Sequence, residues 1–77
     1  MMKWLPIESK MFTAGAYDAR RRILYLRFRS SGEVYRYFEV PAKHYREFLN
    51  AESCGRYFLS HIRDHFQYER LAKLQVA

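Results

Sequence analysis

The sequence predicts an α+β domain: a three-stranded antiparallel sheet followed by two helices packed on one of its faces, in the order β-β-β-α-α. Two features predict this. Apolar and polar residues alternate twice before Pro41, the period of a half-buried strand, and apolar residues recur every three or four positions after it, the period of a helix. Strands that run first and helices that follow favour helices gathered on one side of an antiparallel sheet.

Met11 to Tyr17 is small and apolar and reads as a first strand, closed by the polar turn Asp18-Ala19-Arg20-Arg21-Arg22. In Ile23 to Arg29, Leu24, Leu26 and Phe28 share one face and Tyr25, Arg27 and Arg29 the other. Ser30-Ser31-Gly32 signals a turn, and Glu33 to Val40 alternates again, with Tyr35 and Tyr37 opposed to Val34, Arg36 and Phe38. Register follows from parity, because a slip by one residue exchanges the faces. An even loop at Ser31-Gly32 pairs Phe28 with Tyr35 and Leu26 with Tyr37, and it sets Arg27 opposite Arg36 and Tyr25 opposite Phe38. Two like charges facing across strands destabilise the pair unless an anion lies between them.

Proline at position 41 suits a first helical turn. Pro41, Tyr45, Phe48 and Leu49 then fall on one side of a short helix. The stretch Asn50 to Gly55 breaks it, Ser53 is the expected N-cap of a second helix, and Phe58, Ile62 and Phe66 recur every fourth residue. The expected core is Leu24, Leu26, Phe28, Tyr35, Tyr37, Phe48, Phe58 and Ile62. A single domain spans 1–77, with its core over about 5–71 and a frayed tail at 72–77.

A chain of 77 residues that is 49% hydrophobic and 18% aromatic builds its core from a few large rings. Its single cysteine, Cys54, excludes an intrachain disulfide and points to a reducing compartment. With no apolar run of the roughly 20 residues that a membrane span needs, the expectation is a cytoplasmic protein off the membrane. The formal charge is +6, and Arg20, Arg21, Arg22, Arg27, Arg29 and Arg36 lie close together with Glu33 as the lone acid among them. Arginine favours bidentate phosphate contacts and stacking. Against a merely solvated surface stands an anionic partner, either nucleic acid or an acidic protein face.

Cys54, His61 and His65 fall on one side of the second helix, and the two histidines have the i, i+4 spacing of metal ligands. His61-Ile62-Arg63-Asp64-His65 lacks the glutamate of H-E-x-x-H and places an arginine beside any ion, so residues at the core edge are the simpler reading. Ser53-Cys54-Gly55-Arg56 resembles a phosphate-binding helix start, weighed against an ordinary helix–helix corner. Carboxylates are scattered singly, and neither a serine nucleophile motif nor a glycine-rich phosphate loop is present. The expectation is a non-catalytic module without metal or cofactor. Its nucleic-acid surface would be Arg20, Arg21, Arg22, Tyr25, Arg27, Arg29, Arg36 and Phe38, with arginines on phosphates and rings on bases of RNA or another single strand. The alternative is a protein-interaction surface, for a homodimer or an acidic partner, built on the same residues.

Tyr17-Asp18, Leu24-x-Leu26-x-Phe28, Tyr35-Arg36-Tyr37, Val40-Pro41, Ser53-x-Gly55-x-Tyr57-Phe58, Ile62-Arg63 and Tyr68, in this order, resemble the KTSC domain. That family is named for the C-terminal domain of some lysyl-tRNA synthetases and includes small stand-alone bacterial and phage proteins. The resemblance runs from about Leu5 to Leu71, and the synthetase fusion implies contact with RNA. Lys10 and Ala16 stand where the family pattern has serine and glycine, Cys54 where lysine is frequent, and Leu59 or Ser60 where asparagine is common. A cysteine in place of that lysine weakens the phosphate reading of Ser53 to Gly55.

Overall fold

A computed structural model describes residues 2–71. They form a five-stranded antiparallel meander, β1 (Leu5–Pro6), β2 (Phe12–Asp18), β3 (Ile23–Phe28), β4 (Val34–Tyr37) and β5 (Tyr68–Leu71), in that spatial order. The link from β4 to β5 carries α1 (Ala42–Asn50) and α2 (Cys54–Tyr57), and α2 runs on into a π-helical turn at Phe58–Ile62. The α+β class and the two helices are as expected, but the sheet has five strands rather than three. The additions are the two edge strands. β1 is too short to show alternation, and β5 closes onto β4 across the whole helical segment. The tail expected to fray at 72–77 lies outside the described residues. Among the described residues no helix is long and apolar enough to cross a membrane.

A bulge between Phe12 and Ala14 explains why the first strand shows no clean alternation. Phe12 pairs with Phe28, whereas Ala14 pairs with Arg27, Gly15 with Leu26 and Tyr17 with Leu24. The extra residue brings Phe12 onto the same face as Gly15 and Tyr17 despite the odd spacing. That face also carries Leu24, Leu26, Tyr35 and Tyr37 and lies against the helices. Gly15 lets Ile7 and Leu26 pack closely there: a Cβ at this position would come within 2.9 Å of Ile7 Cδ1 and 3.3 Å of Leu26 Cδ2, and both side-chain tips would have to shift.

The β3–β4 pairing corrects the predicted register. Leu24 faces Tyr37, Tyr25 faces Arg36, Leu26 faces Tyr35 and Arg27 faces Val34. The parity argument assigns every side chain to its proper face, but the strands are displaced by two residues. The loop is longer than Ser31-Gly32: Phe28 N–H donates to Glu33 O at 2.9 Å, and Gly32 N–H donates to Phe28 O at 2.9 Å. Gly32 takes the left-handed conformation this closure requires, with φ 72°. Arg27 and Arg36 therefore do not face each other, and neither do Tyr25 and Phe38. β4 stops at Tyr37 because Glu39 turns the chain at φ 56°. Val40 is then buried, its N–H donating to Arg22 O at 2.9 Å.

Pro41 precedes α1 in an extended conformation, and Ser53 caps α2 as expected, its Oγ accepting from Arg56 N–H at 3.2 Å. The fourth-residue spacing of Phe58, Ile62 and Phe66 does not persist as helix. The turn widens, Arg63 N–H donates to Phe58 O at 2.8 Å, and Asp64 at φ 68° lies just past the helix end. Phe66 falls beyond the helix, edge-on to His44. Phe12, Leu24, Leu26, Val40, Phe48 and Ile62 are fully enclosed, and Tyr37 and Phe58 nearly so. Phe28 and Tyr35 are only half-buried, because the helices do not reach over the whole face. Leu49, expected on the packed side of α1, is 37% exposed.

Phe58 packs edge-on against Phe12, Phe28 and Tyr37. Replacing it with alanine should cost about 3–5 kcal/mol, most of the stability of a domain this size. The half-buried Phe28 should cost less on the same change. Denaturant unfolding of the two variants checks the order, and equal losses would contradict it.

Candidate nucleic-acid interface

The face of the sheet turned away from the helices holds Tyr25, Arg27 and Arg36, with Phe38 under Arg36, four of the eight residues singled out for their charge and rings. Arg20, Arg21 and Arg22 project from the β2–β3 turn and are exposed. Asp18 builds this turn, its Oδ1 accepting from the N–H groups of Arg20 and Arg21 at 3.1 and 3.2 Å. Arg22 sits beside the Tyr17 phenol, whose hydroxyl donates to Val40 O at 2.5 Å. Burial raises the Tyr17 pKa, and the neighbouring Arg22 partly offsets this.

Tyr25 and Arg27 stand on β3. Trp4, from the segment leading into β1, packs edge-on against Tyr25 at 6.2 Å and lies 5.8 Å from the Arg27 guanidinium. Arg27 Nε is buried and has no hydrogen-bond partner among the described residues. Beside them, Arg36 crosses the Phe38 ring at 5.4 Å and forms a salt bridge with Glu69 of β5, its Nε donating to Oε1 at 2.6 Å. Glu69 and then the Tyr25 hydroxyl push the Arg36 pKa further above its ordinary value. The facing arginine pair expected to call for an anion does not form, and Arg36 takes its counter-charge from the chain itself. Arg29 departs from the expected surface. Its Nε donates to Ser9 O at 2.9 Å and its Nη2 to Phe12 O at 3.2 Å, which ties the loop before β2 to the end of β3.

Sequence reasoning missed Trp4 and Glu69. Trp4 is the lone tryptophan, two residues before a proline, in a segment without periodicity. Glu69 lies on the unexpected fifth strand, 33 residues from its partner Arg36. Also missed was a polar cluster between the helices. Tyr57 Oη donates to Glu47 Oε1 at 2.6 Å, which leaves its oxygen to accept from His44 Nδ1 at 2.9 Å. His61 packs on the Tyr57 ring at 4.5 Å. Burial and then the Glu47 hydrogen bond push the Tyr57 pKa up to about 12, and the same hydrogen bond holds Glu47 below its ordinary value.

Cys54, His61 and His65 are not drawn together. Cys54 Sγ contacts Phe48 O at 3.4 Å, His61 stacks on Tyr57, and His65 lies in the turn after the π segment. Among the described residues no group of three or more His, Cys, Asp and Glu is placed to hold a metal ion. Ser53 Oγ is occupied as a cap, and Gly55 packs beside Met11, where a Cβ would meet Met11 Cε at 3.6 Å.

Fold and surface together define a small α+β domain, a meander with a helical layer on one face and an arginine–aromatic array on the other. A family model for the KTSC domain matches residues 8–66, and the chain belongs to that family. The crystal structure of a KTSC domain protein from Yersinia pestis superposes with a TM-score of 0.89 at 30% identity, covering 94% of this chain and 100% of that one. A protein of Tsukamurella paurometabola is 39% identical over 62 residues, which are 80% of this chain and 91% of that protein. A lysine–tRNA ligase of a Nostoc species is 38% identical over 65 residues, 84% of this chain but only 11% of the ligase.

A raised phenol pKa stabilises the fold below the ordinary value of 10.0, and that contribution is lost as the pH climbs to about 12. An ultraviolet titration of the tyrosines should therefore show several late-ionising phenols, one fewer of them in Tyr57→Phe. An unchanged high-pH limb would contradict the late ionisation that burial and the Glu47 hydrogen bond give Tyr57.

Proposed function

We propose that this KTSC domain is a non-catalytic module that binds RNA or another single-stranded nucleic acid on the open sheet face and the β2–β3 turn. The observation that carries the reading is the layering of cations on rings beside an exposed basic turn: Arg27 by Trp4 and Arg36 over Phe38 flank Tyr25, while Arg20, Arg21 and Arg22 are exposed on the adjoining turn, Arg22 on its Tyr17 side. Phosphates suit the turn arginines, which have no salt bridge among the described residues, and the rings offer stacking surfaces for bases. Arg29 drops out of the surface because its Nε and Nη2 are held by the Ser9 and Phe12 carbonyls. The relationship to a segment of lysine–tRNA ligases, proteins whose name specifies a tRNA substrate, supports RNA as the class of nucleic acid.

Fluorescence anisotropy with tRNA, single-stranded RNA, duplex DNA and heparin tests this directly. Binding should weaken linearly in log–log terms as salt rises, and replacing Arg20 and Arg21 together should make that slope shallower by up to about two units. Glu69→Gln should tighten binding, because it frees Arg36, and should leave the melting temperature nearly unchanged, since a solvent-exposed ion pair contributes little to stability. If the folded protein binds no nucleic acid at low salt and instead associates with itself or with acidic proteins, the interaction-surface alternative replaces this reading.

A further inference from the structure

The helical layer leaves part of the inner sheet face uncovered. Over β4 and β5 a cavity of about 470 Å³ opens, walled by Tyr35, Tyr37 and Tyr68, with Phe58 on its apolar side and Arg63 and Asp64 at its edge. Small-molecule sites occupy roughly 300–1,000 Å³.

Three features of this cavity call for a ligand of definite chemistry. The Tyr37 ring is packed into the core, with the residue only 4% exposed, while Tyr37 lines the cavity and its hydroxyl has no protein hydrogen-bond partner among the described residues. Burial raises its pKa, so at neutral pH it is an uncharged donor available to an acceptor in the cavity. Tyr68 lies 5.7 Å from both Tyr35 and Tyr37 with planes inclined by 34°, and at 60% exposure it keeps a ring surface free for a flat π system. Arg63 is close enough to lower the Tyr37 pKa and forms no salt bridge among the described residues. Glu33, which could have neutralised it, is bound instead to Arg70 at 3.0 Å. An acceptor-bearing planar ring joined to a phosphate satisfies all three.

We infer that the tyrosine-walled cavity binds a single nucleotide, its base against Tyr35 and Tyr68, a base acceptor on the Tyr37 hydroxyl and its phosphate at Arg63. The inference rests on the nucleic-acid reading for its class of ligand but concerns the opposite face of the sheet. It would give the domain a place to hold one unstacked base while the outer face tracks the strand.

The test is a titration of the isotopically labelled protein with AMP, GMP, CMP, UMP and ribose phosphate, followed by amide chemical shifts. At least one nucleotide should produce saturating shifts at Tyr35, Tyr37, Arg63 and Tyr68, and ribose phosphate, which lacks a base, should not. Tyr37→Phe keeps the ring and should weaken that nucleotide about five- to tenfold, the value of one hydrogen bond. Arg63→Gln should make nucleotide and nucleoside bind alike. Shifts confined to Trp4, Tyr25 and the arginine turn, or a Tyr37→Phe variant that binds as the wild type does, would overturn the inference. Polynucleotide binding that survives those results leaves the outer-face reading standing. Conversely, pocket shifts in a protein that binds no polynucleotide would sink the outer-face reading and keep the pocket.

Discussion

Phe12 has no exposed surface and touches rings from every part of the core: Phe28 on the sheet at 4.9 Å, Phe48 of α1 at 5.6 Å and Phe58 after α2 at 5.1 Å. In a chain this short, one aromatic hub replaces the layered aliphatic core of a larger domain. Its position depends on the bulge before Ala14, without which Phe12 would point to the other side of the sheet. Arg29 reinforces the same corner by holding the carbonyls of Ser9 and Phe12. The helices can dock where they do because Phe12 stands on their side.

From that packing follows the division of labour between the faces. The inner face is consumed by the core where α1 and the π turn reach, and its tyrosines stay open where they do not. The outer face has no helical cover, yet Ala16 and Val34 on it are fully buried, so its floor is apolar and its polar groups lie above. This is why arginines of similar sequence context end in different states. Arg29 is a structural tie, Arg36 is neutralised by Glu69, Arg27 lies by Trp4, Arg22 lies by the Tyr17 phenol, and Arg20 and Arg21 stand clear. Net charge alone would have counted them all as equal.

The π turn has a comparable effect on the helical layer. By ending the helix at Ile62 it separates His61 from His65 and directs the chain back through Asp64 to β5. Tyr68 arrives beside Tyr37 as a result. The tyrosine wall is thus assembled from a motif on β4 and a ring from a strand that exists only because the helical segment stops there.

The side of the sheet on which each residue of β3 and β4 falls was legible in the sequence, because strand period is a property of the backbone and parity survives an error in loop length. Leu24, Leu26 and Tyr37 face the helices, and Tyr25, Arg27 and Arg36 face away, as their alternation requires. The Ser53 cap and the helical start at Pro41 were legible for the same local reason. Register, the edge strands and the pairing of charges were not. Choosing between two even loops depends on where Arg29 and Gly32 settle, and the bulge at Phe12 hides the period of its strand. Glu69 reaches Arg36, and Trp4 reaches Arg27, only after distant segments have packed. Local periodicity determined which faces exist and what each carries; only the tertiary structure, by bringing remote residues within a few ångströms, decided which of those groups remain free to act.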